Sequence, residues 1–232
     1  MSIMQIKFHT GSAPDGRTEM HDVPVQQCIV AGWTGRDRVA LEKHIKELEE
    51  LGVARPASTP VYYRVSAARV TTDTKVQTTG TASSGEVEFI MAQWNGDLWV
   101  GVGSDHTDRQ VETYNVTVSK QMCEKPMAPE VWRFADVAGH WDKIILRSFI
   151  FENGARVLYQ EGAVNAMLDP AVLIEGYDGK KSLETGTIML CGTFAAKGGI
   201  RPADVFEFEM EDPVLGRTIR HGYELEKLPV LG

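Results

Sequence analysis

The chain has 232 residues, 43% hydrophobic and 24% charged, with a formal net charge of −8 at pH 7. That length and mix suit a single globular domain with its own core. The acidic balance argues against nucleic acid or an anionic membrane surface as partner, and no window is apolar over the roughly 18 residues of a membrane span.

In chain order, residues 1–34 read as N-terminal strands: "MQIKFH" alternates, "SAPDG" turns, and "VPVQQCIVAGW" runs apolar. "GRDRVALEKHIKELEELGV" predicts a helix within 35–52, with Asp37 as N-cap, Leu41, Ile45 and Leu48 at helical spacing, and Gly52 as the stop. "ARPASTP" then breaks the chain before a strand at "VYYRV". Residues 71–85, rich in Thr, Ser and Gly, predict a loop or a pair of short exposed strands. From Glu86 to Val102 the pattern is a hairpin turning at "NGD". The Pro-flanked "EKPMAPEVWRFADVAGHWDK" leads to a strand "IILRSFIF", a hairpin "ENGARVLYQEG" and a short helix "DPAVLIEGY". A buried strand "TGTIMLCGTF" and a last hairpin within "DVFEFEMEDPVLGRTIRHGYEL" follow, the acidic "EFEMED" reading as the polar face of an edge hairpin. The expectation is one α+β, β-rich domain over 1–232, antiparallel in its pairing, with few short helices and a β-rich core over 60–232. Cys28, Cys123 and Cys191 are too scattered for a disulfide framework or a zinc knuckle, and "MSIMQIKFHT" lacks the pattern of a secretory leader. Free thiols and a cytoplasmic location are expected.

Side chains two apart on a strand share a face, so Glu86 and Glu88 sit side by side at the head of the apolar run Phe89, Ile90, Met91. Like charges there repel and resist burial. On the return strand Gly101, Gly103 and Asp105 share one face. If it is the glutamate face, Asp105 joins the pair and the glycines leave room above the sheet for something bound. Three converging carboxylates suit a hard divalent cation such as Mg²⁺, Mn²⁺ or Ca²⁺, and not zinc. The alternative is a solvated strand face, because the E-x-E spacing is common. In "HIKE", His44 and Glu47 lie three apart on one helical face, so the carboxylate can orient the imidazole; a plain solvated helix gives the same pattern.

Several segments, in this order, resemble the fumarylacetoacetate hydrolase family. "GEVEFIM" is similar to that family's E-x-E metal pair, and "SDHTDRQVE" to its D-x-[ST]-x-R motif. "SKQMCEKPMAPEVW" matches its lysine followed by a Pro-bearing segment, and "LCGTFAAKGG" its C-terminal glycine-threonine turn. Gly35 and Arg36, then His44 and Glu47, match its G-R motif and the H-x-x-E pair of catalytic members. The resemblance implies the mixed β-sandwich or roll of that family's C-terminal domain, with Glu86, Glu88 and Asp105 holding Mg²⁺ or Mn²⁺. It implies His44, oriented by Glu47, as general base on a lid helix, and Lys120 as a positive charge against a developing oxyanion. Arg36, Arg64 (where family members tend to carry a lysine), Asp108, Arg109 and Thr193 are the implied substrate-binding and supporting residues. The implied activity is a metal-dependent hydrolase or lyase that cleaves a C–C bond in a small keto or diketo acid through a metal-stabilised enolate, working as a homodimer. Exposed Trp and Met side chains in 122–141 would suit the dimer interface. Two alternatives stay open: a hydratase or isomerase on a similar keto acid, and a non-catalytic ligand-binding relative.

Overall fold

Every side chain of the strand Val87–Trp94 is buried, and the cause is what covers its two faces. The computed structural model describes residues 4–10, 18–50 and 55–231. Its main strands are β1 (Met4–Thr10), β2 (Glu19–Val25), β3 (Gln27–Gly32), β4 (Val61–Val65), β5 (Lys75–Thr79), β6 (Val87–Trp94), β7 (Asp97–Ser104), β8 (Glu130–Arg133), β9 (Ile145–Glu152), β10 (Ala155–Ala163), β11 (Thr187–Leu190), β12 (Val205–Asp212) and β13 (Arg217–Leu228). An eight-stranded sheet runs β2-β1-β8-β7-β6-β11-β3-β4, and a five-stranded sheet runs β10-β9-β12-β13-β5. One face of β6 and β7, through Phe89, Met91, Val100 and Val102, meets Phe206, Phe208 and Met210 of the smaller sheet. The other face, through Ile90, Ala92 and Trp94, meets Ile6, Phe8, Val23, Val30 and Leu190 of the large sheet itself, which rolls over its own strands. A strand buried on both sides loses its alternation and reads as a continuous apolar run. The architecture is the mixed roll, with few short helices, that the resemblance implies.

Local signals explain the elements. Asp37 Oδ1 accepts the N–H groups of Val39 and Ala40 at 2.9 and 3.0 Å and so starts the helix Arg38–Glu50. The β6–β7 and β9–β10 hairpins turn on Asn95-Gly96 and Asn153-Gly154, with φ of 51° and 80°, and 52° and 79°. Both central residues are left-handed, as a two-residue hairpin turn requires. The three cysteines are free and buried. Among the described residues no helix is long and apolar enough to cross a membrane.

Three expectations are corrected. Pairing is mixed: β1 with β8, β11 with β3, and β13 with β5 run parallel, joining strands remote in the chain. "EFEMED" lies on β12, an inner strand between β9 and β13, so it is not an edge. Its glutamates alternate with buried Phe208 and Met210 and pair across the strands, Glu207 with Arg156 at 2.6 Å and Glu209 with Arg220 at 3.2 Å. Met127, Trp132 and Trp141 are core residues of this chain, and of the Trp and Met side chains in 122–141 Met122 alone is partly exposed.

Asp212 closes the β12–β13 turn from a fully buried position. It accepts the N–H groups of Val214 and Leu215 at 3.0 and 3.1 Å and lies 2.9 Å from His140 Nε2. Burial alone would raise its pKa; the bonds from His140 and the turn backbone overcome that and hold it below the usual 3.8. A depressed folded-state pKa contributes stability that is full above the unfolded value and is lost as pH falls through the folded one. Asp212→Asn is therefore expected to cost about 1–3 kcal/mol at neutral pH. Urea denaturation should show the gap from wild type closing as pH drops below 3.8. A gap independent of pH would contradict this account.

Candidate metal centre

The β6–β7 register sets Glu88 opposite Gly103 and Val87 opposite Ser104. The ladder continues one step beyond the strands: Asp105 N–H donates to Glu86 O at 2.9 Å. Asp105 thereby reaches the face of the two glutamates, and one carboxylate oxygen from each of Glu86, Glu88 and Asp105 lies within 4.8 Å of the others. Glu88 and Asp105 are buried and Glu86 is half-buried. The glycines of β7 do share this face, but the room above them is taken. A Cβ on Gly103 would meet Ile90, Met127 and the Pro126 carbonyl at 3.1 Å, and one on Gly101 would meet Val131 at 3.1 Å. They let the segment 126–131 cross closely and leave no ligand space, which corrects the sequence expectation.

Three cations face the three acids. The short helix Val116–Met122, capped by Asn115 Oδ1 on Val118 N–H at 3.0 Å, turns Lys120 inward. There its ammonium donates to Asp105 and lies 3.7 Å from Glu86. Lys125, fully buried, lies 3.1 Å from Asp105 Oδ1 and donates to the His106 carbonyl at 2.7 Å. Arg109 reaches Glu86 at 3.0 Å while donating to Ser84 Oγ at 2.7 Å and Glu112 at 2.9 Å. Among the described residues Glu88 has no ion-pair partner and one hydrogen bond, from the Gly192 N–H at 2.7 Å; burial, then Asp105 and Glu86, push its pKa well above the carboxylate range against the pull of Lys120. Burial opposes the charge of Asp105 too, but Lys120 and Lys125 hold its pKa down to about 2. Burial would lower the Lys120 pKa, yet Asp105 and Glu86 keep the ammonium above its ordinary value. Buried ion clusters return little net stability, so a cluster of this size in a perturbed setting points to chemistry.

The donor set fits a hard divalent cation. It is all oxygen, Glu88 has no ion-pair partner among the described residues, and Asp105 Oδ1 has no aligned hydrogen bond despite the nearby Lys125. The other sequence-predicted residues lie as follows. Thr193 Oγ1 donates to Val87 O at 2.7 Å and accepts from Gln160 Nε2 at 2.8 Å, gripping the strand between the two glutamates. Asp108 Oδ1 accepts the N–H groups of Gln110 and Val111 at 3.0 and 2.9 Å, which starts the turn of helix that carries Arg109. Arg36 is held by the Met167 carbonyl and, through two nitrogens, by Asp142 at 2.9 and 3.0 Å. Arg64 donates to Tyr177 Oη at 3.2 Å. The backbone of His44 and Glu47 is helical, but their side chains fall outside the described residues, as does Gly52. Sequence reasoning missed Lys125, Gly192 and Tyr63, whose ring centroid is 5.9 Å from the Lys120 ammonium. The β3–β4 register, which pairs Tyr63 with Val30, emerges only from the structure.

A model of a family described as "Protein of unknown function (DUF2848)" matches residues 31–223. No curated protein matches the sequence. Among solved structures, Cg1458 with inhibitor is 16% identical with a TM-score of 0.61, covering 92% of this chain and 84% of its own. The structure of 2-keto-3-deoxy-D-arabinonate dehydratase complexed with magnesium and 2,5-dioxopentanoate is 14% identical with a TM-score of 0.59, covering 90% of this chain and 77% of its own. At these identities the likeness is one of fold. The resemblance to fumarylacetoacetate hydrolases thus narrows to a shared architecture.

Proposed function

The chain belongs to the DUF2848 family, and from its carboxylate cluster we propose that it is a divalent-metal-dependent hydrolase or lyase that breaks a C–C bond in a small keto or diketo acid. The observation that carries this reading is the convergence of Glu86, Glu88 and Asp105 within 4.8 Å. Support comes from a fold shared with a dehydratase solved with magnesium and 2,5-dioxopentanoate. Mg²⁺ or Mn²⁺ held by the three carboxylates would supply Lewis acidity toward the keto oxygen. Lys120, beside Asp105 and Glu86, sets a positive charge where a substrate oxygen or carboxylate becomes more negative. His44 is the general base of the proposal, with Glu47 three residues on to orient it. Arg109 and Thr193 serve by fixing Glu86 and Val87, and Asp108 by fixing Arg109. Arg36 is held by Asp142 and would contact substrate by exchanging it, while Arg64 is exposed and spends one nitrogen on Tyr177. The proposal includes a homodimer in the cytoplasm. A second reading, dehydration of a 2-keto acid at the same centre, is favoured by the name of the structural neighbour.

Titrating Mg²⁺ and Mn²⁺ into chelator-stripped protein is expected to show saturable binding that Glu88→Gln removes. A keto-acid screen with the loaded protein should then find turnover that His44→Ala lowers by about 10²–10⁴-fold while Mn²⁺ binding persists. Product analysis separates the two reactions, because cleavage gives two carbon fragments and dehydration keeps one skeleton. No metal binding by wild type would overturn the proposal, and full activity of His44→Ala would remove the general base from it.

A further inference from the structure

The ligand carboxylates ride on two backbone segments, and one side chain of the other sheet ties both together. Glu86 N–H donates to Ser104 Oγ at 3.2 Å. Ser104 Oγ lies 2.9 Å from the hydroxyl of Tyr223, which lies 2.8 Å from His106 Nδ1. Ser104 and His106 flank Asp105 in sequence, while Tyr223 comes from β13 of the five-stranded sheet. The three side chains are at most 1% exposed, so each hydroxyl hydrogen needs an acceptor within the protein. Ser104 Oγ, Tyr223 Oη and His106 Nδ1 thus form one buried chain of hydrogen bonds that links the residues on either side of Asp105. The tyrosine ring itself is fixed. It packs 5.7 Å from Phe206, and a Cβ on Gly85 would come within 2.8 Å of that Phe206 ring. The residue before Glu86 therefore rests on the same aromatic group that steadies Tyr223.

We infer that Tyr223 is a positioning residue for the metal centre, its hydroxyl setting the spacing of Glu86 and Asp105 through Ser104 and His106. The inference rests on the metal-binding reading above. Tyr223 hydrogen-bonds to no ligand carboxylate and acts through the backbone that carries them, so its removal changes the centre without removing a ligand.

Tyr223→Phe is expected to weaken Mn²⁺ binding, read by calorimetry and by the EPR spectrum of the bound ion, by about tenfold. Near-UV circular dichroism should remain native. Ser104→Ala should do the same, and the double variant should bind no worse than the weaker single one, because both changes cut one chain. If Tyr223→Phe does not fold, Ser104→Ala carries the measurement alone. Folded variants with unchanged Mn²⁺ affinity and spectrum would overturn the positioning role while leaving the centre standing. Wild-type protein that binds no Mn²⁺ would instead overturn the metal reading, and the inference with it.

Discussion

Gly192→Ala is expected to cost about 3–5 kcal/mol of stability and to abolish divalent-cation binding. Two effects add. Gly192 has φ of +102°, a conformation that residues with a side chain rarely adopt. Its absent Cβ would also stand 1.8 Å from Thr34 Oγ1 and 3.1 Å from Thr34 Cβ, with Met167 at 3.3 Å. Thr34 is buried and cannot swing into solvent. Relief comes from the backbone at 192, whose N–H is the one hydrogen bond that Glu88 holds among the described residues. Moving it weakens that bond and shifts the carboxylate least able to stay charged. Urea denaturation and Mn²⁺ titration check the two parts separately. Adding Thr34→Ala should recover part of the stability, since it removes the hydroxyl clash and leaves the φ penalty. A Gly192→Ala protein as stable as wild type would refute the steric argument.

Lys125→Met is expected to lose about 3–5 kcal/mol, because it breaks a buried ion pair from one side. Lys125 and Asp105 are both fully buried at 3.1 Å, and the same ammonium serves the His106 carbonyl. Methionine fills the volume and supplies neither charge nor donor. Asp105 keeps Lys120, but its other oxygen stays buried with no hydrogen bond and no cation beside it. Neutralising the acid in the same background, Lys125→Met with Asp105→Asn, should restore part of the loss, because the penalty lies in the stranded charge and not in the missing contact. Guanidinium denaturation of the two singles and the double gives this coupling directly. Independent, additive losses would mean that Lys125 matters as packing alone.

The sequence carried what is local. The Asn95-Gly96 turn fixes the β6–β7 register, and with it the parity that brings Asp105 to the glutamate face. Asp37 as cap and the two Asn-Gly turns were likewise readable, since the residues that decide them are neighbours. What covers a face was not readable. The glycines of β7 have the expected orientation, yet their cover is the segment 126–131, and no pattern in β7 says so. The glutamates of β12 alternate as expected, but alternation cannot tell an inner strand from an edge when both neighbours carry arginines on that face. Parallel partners such as β1 and β8 meet through long crossovers and leave no turn signal. Lys125 was hidden because a lysine looks the same in a sequence whether it meets water or a buried carboxylate.

The contacts that shape the centre are spread unevenly along the chain. Glu86, Glu88, Asp105, Lys120 and Lys125 all lie within 40 consecutive residues, 86–125, whereas the Gly192 and Tyr223 bonds span 104 and 119 residues. During synthesis, at about 5–20 residues per second, the acids and their lysines leave the ribosome well before the groups that hold them in place. Charge compensation is therefore available early, and keeps the nascent segment from repelling itself, while the ligand spacing arrives only with the last strand. On the proposed reading the centre is a completion mark: three oxygens set for an ion belong to a chain whose C-terminal hairpin has already docked.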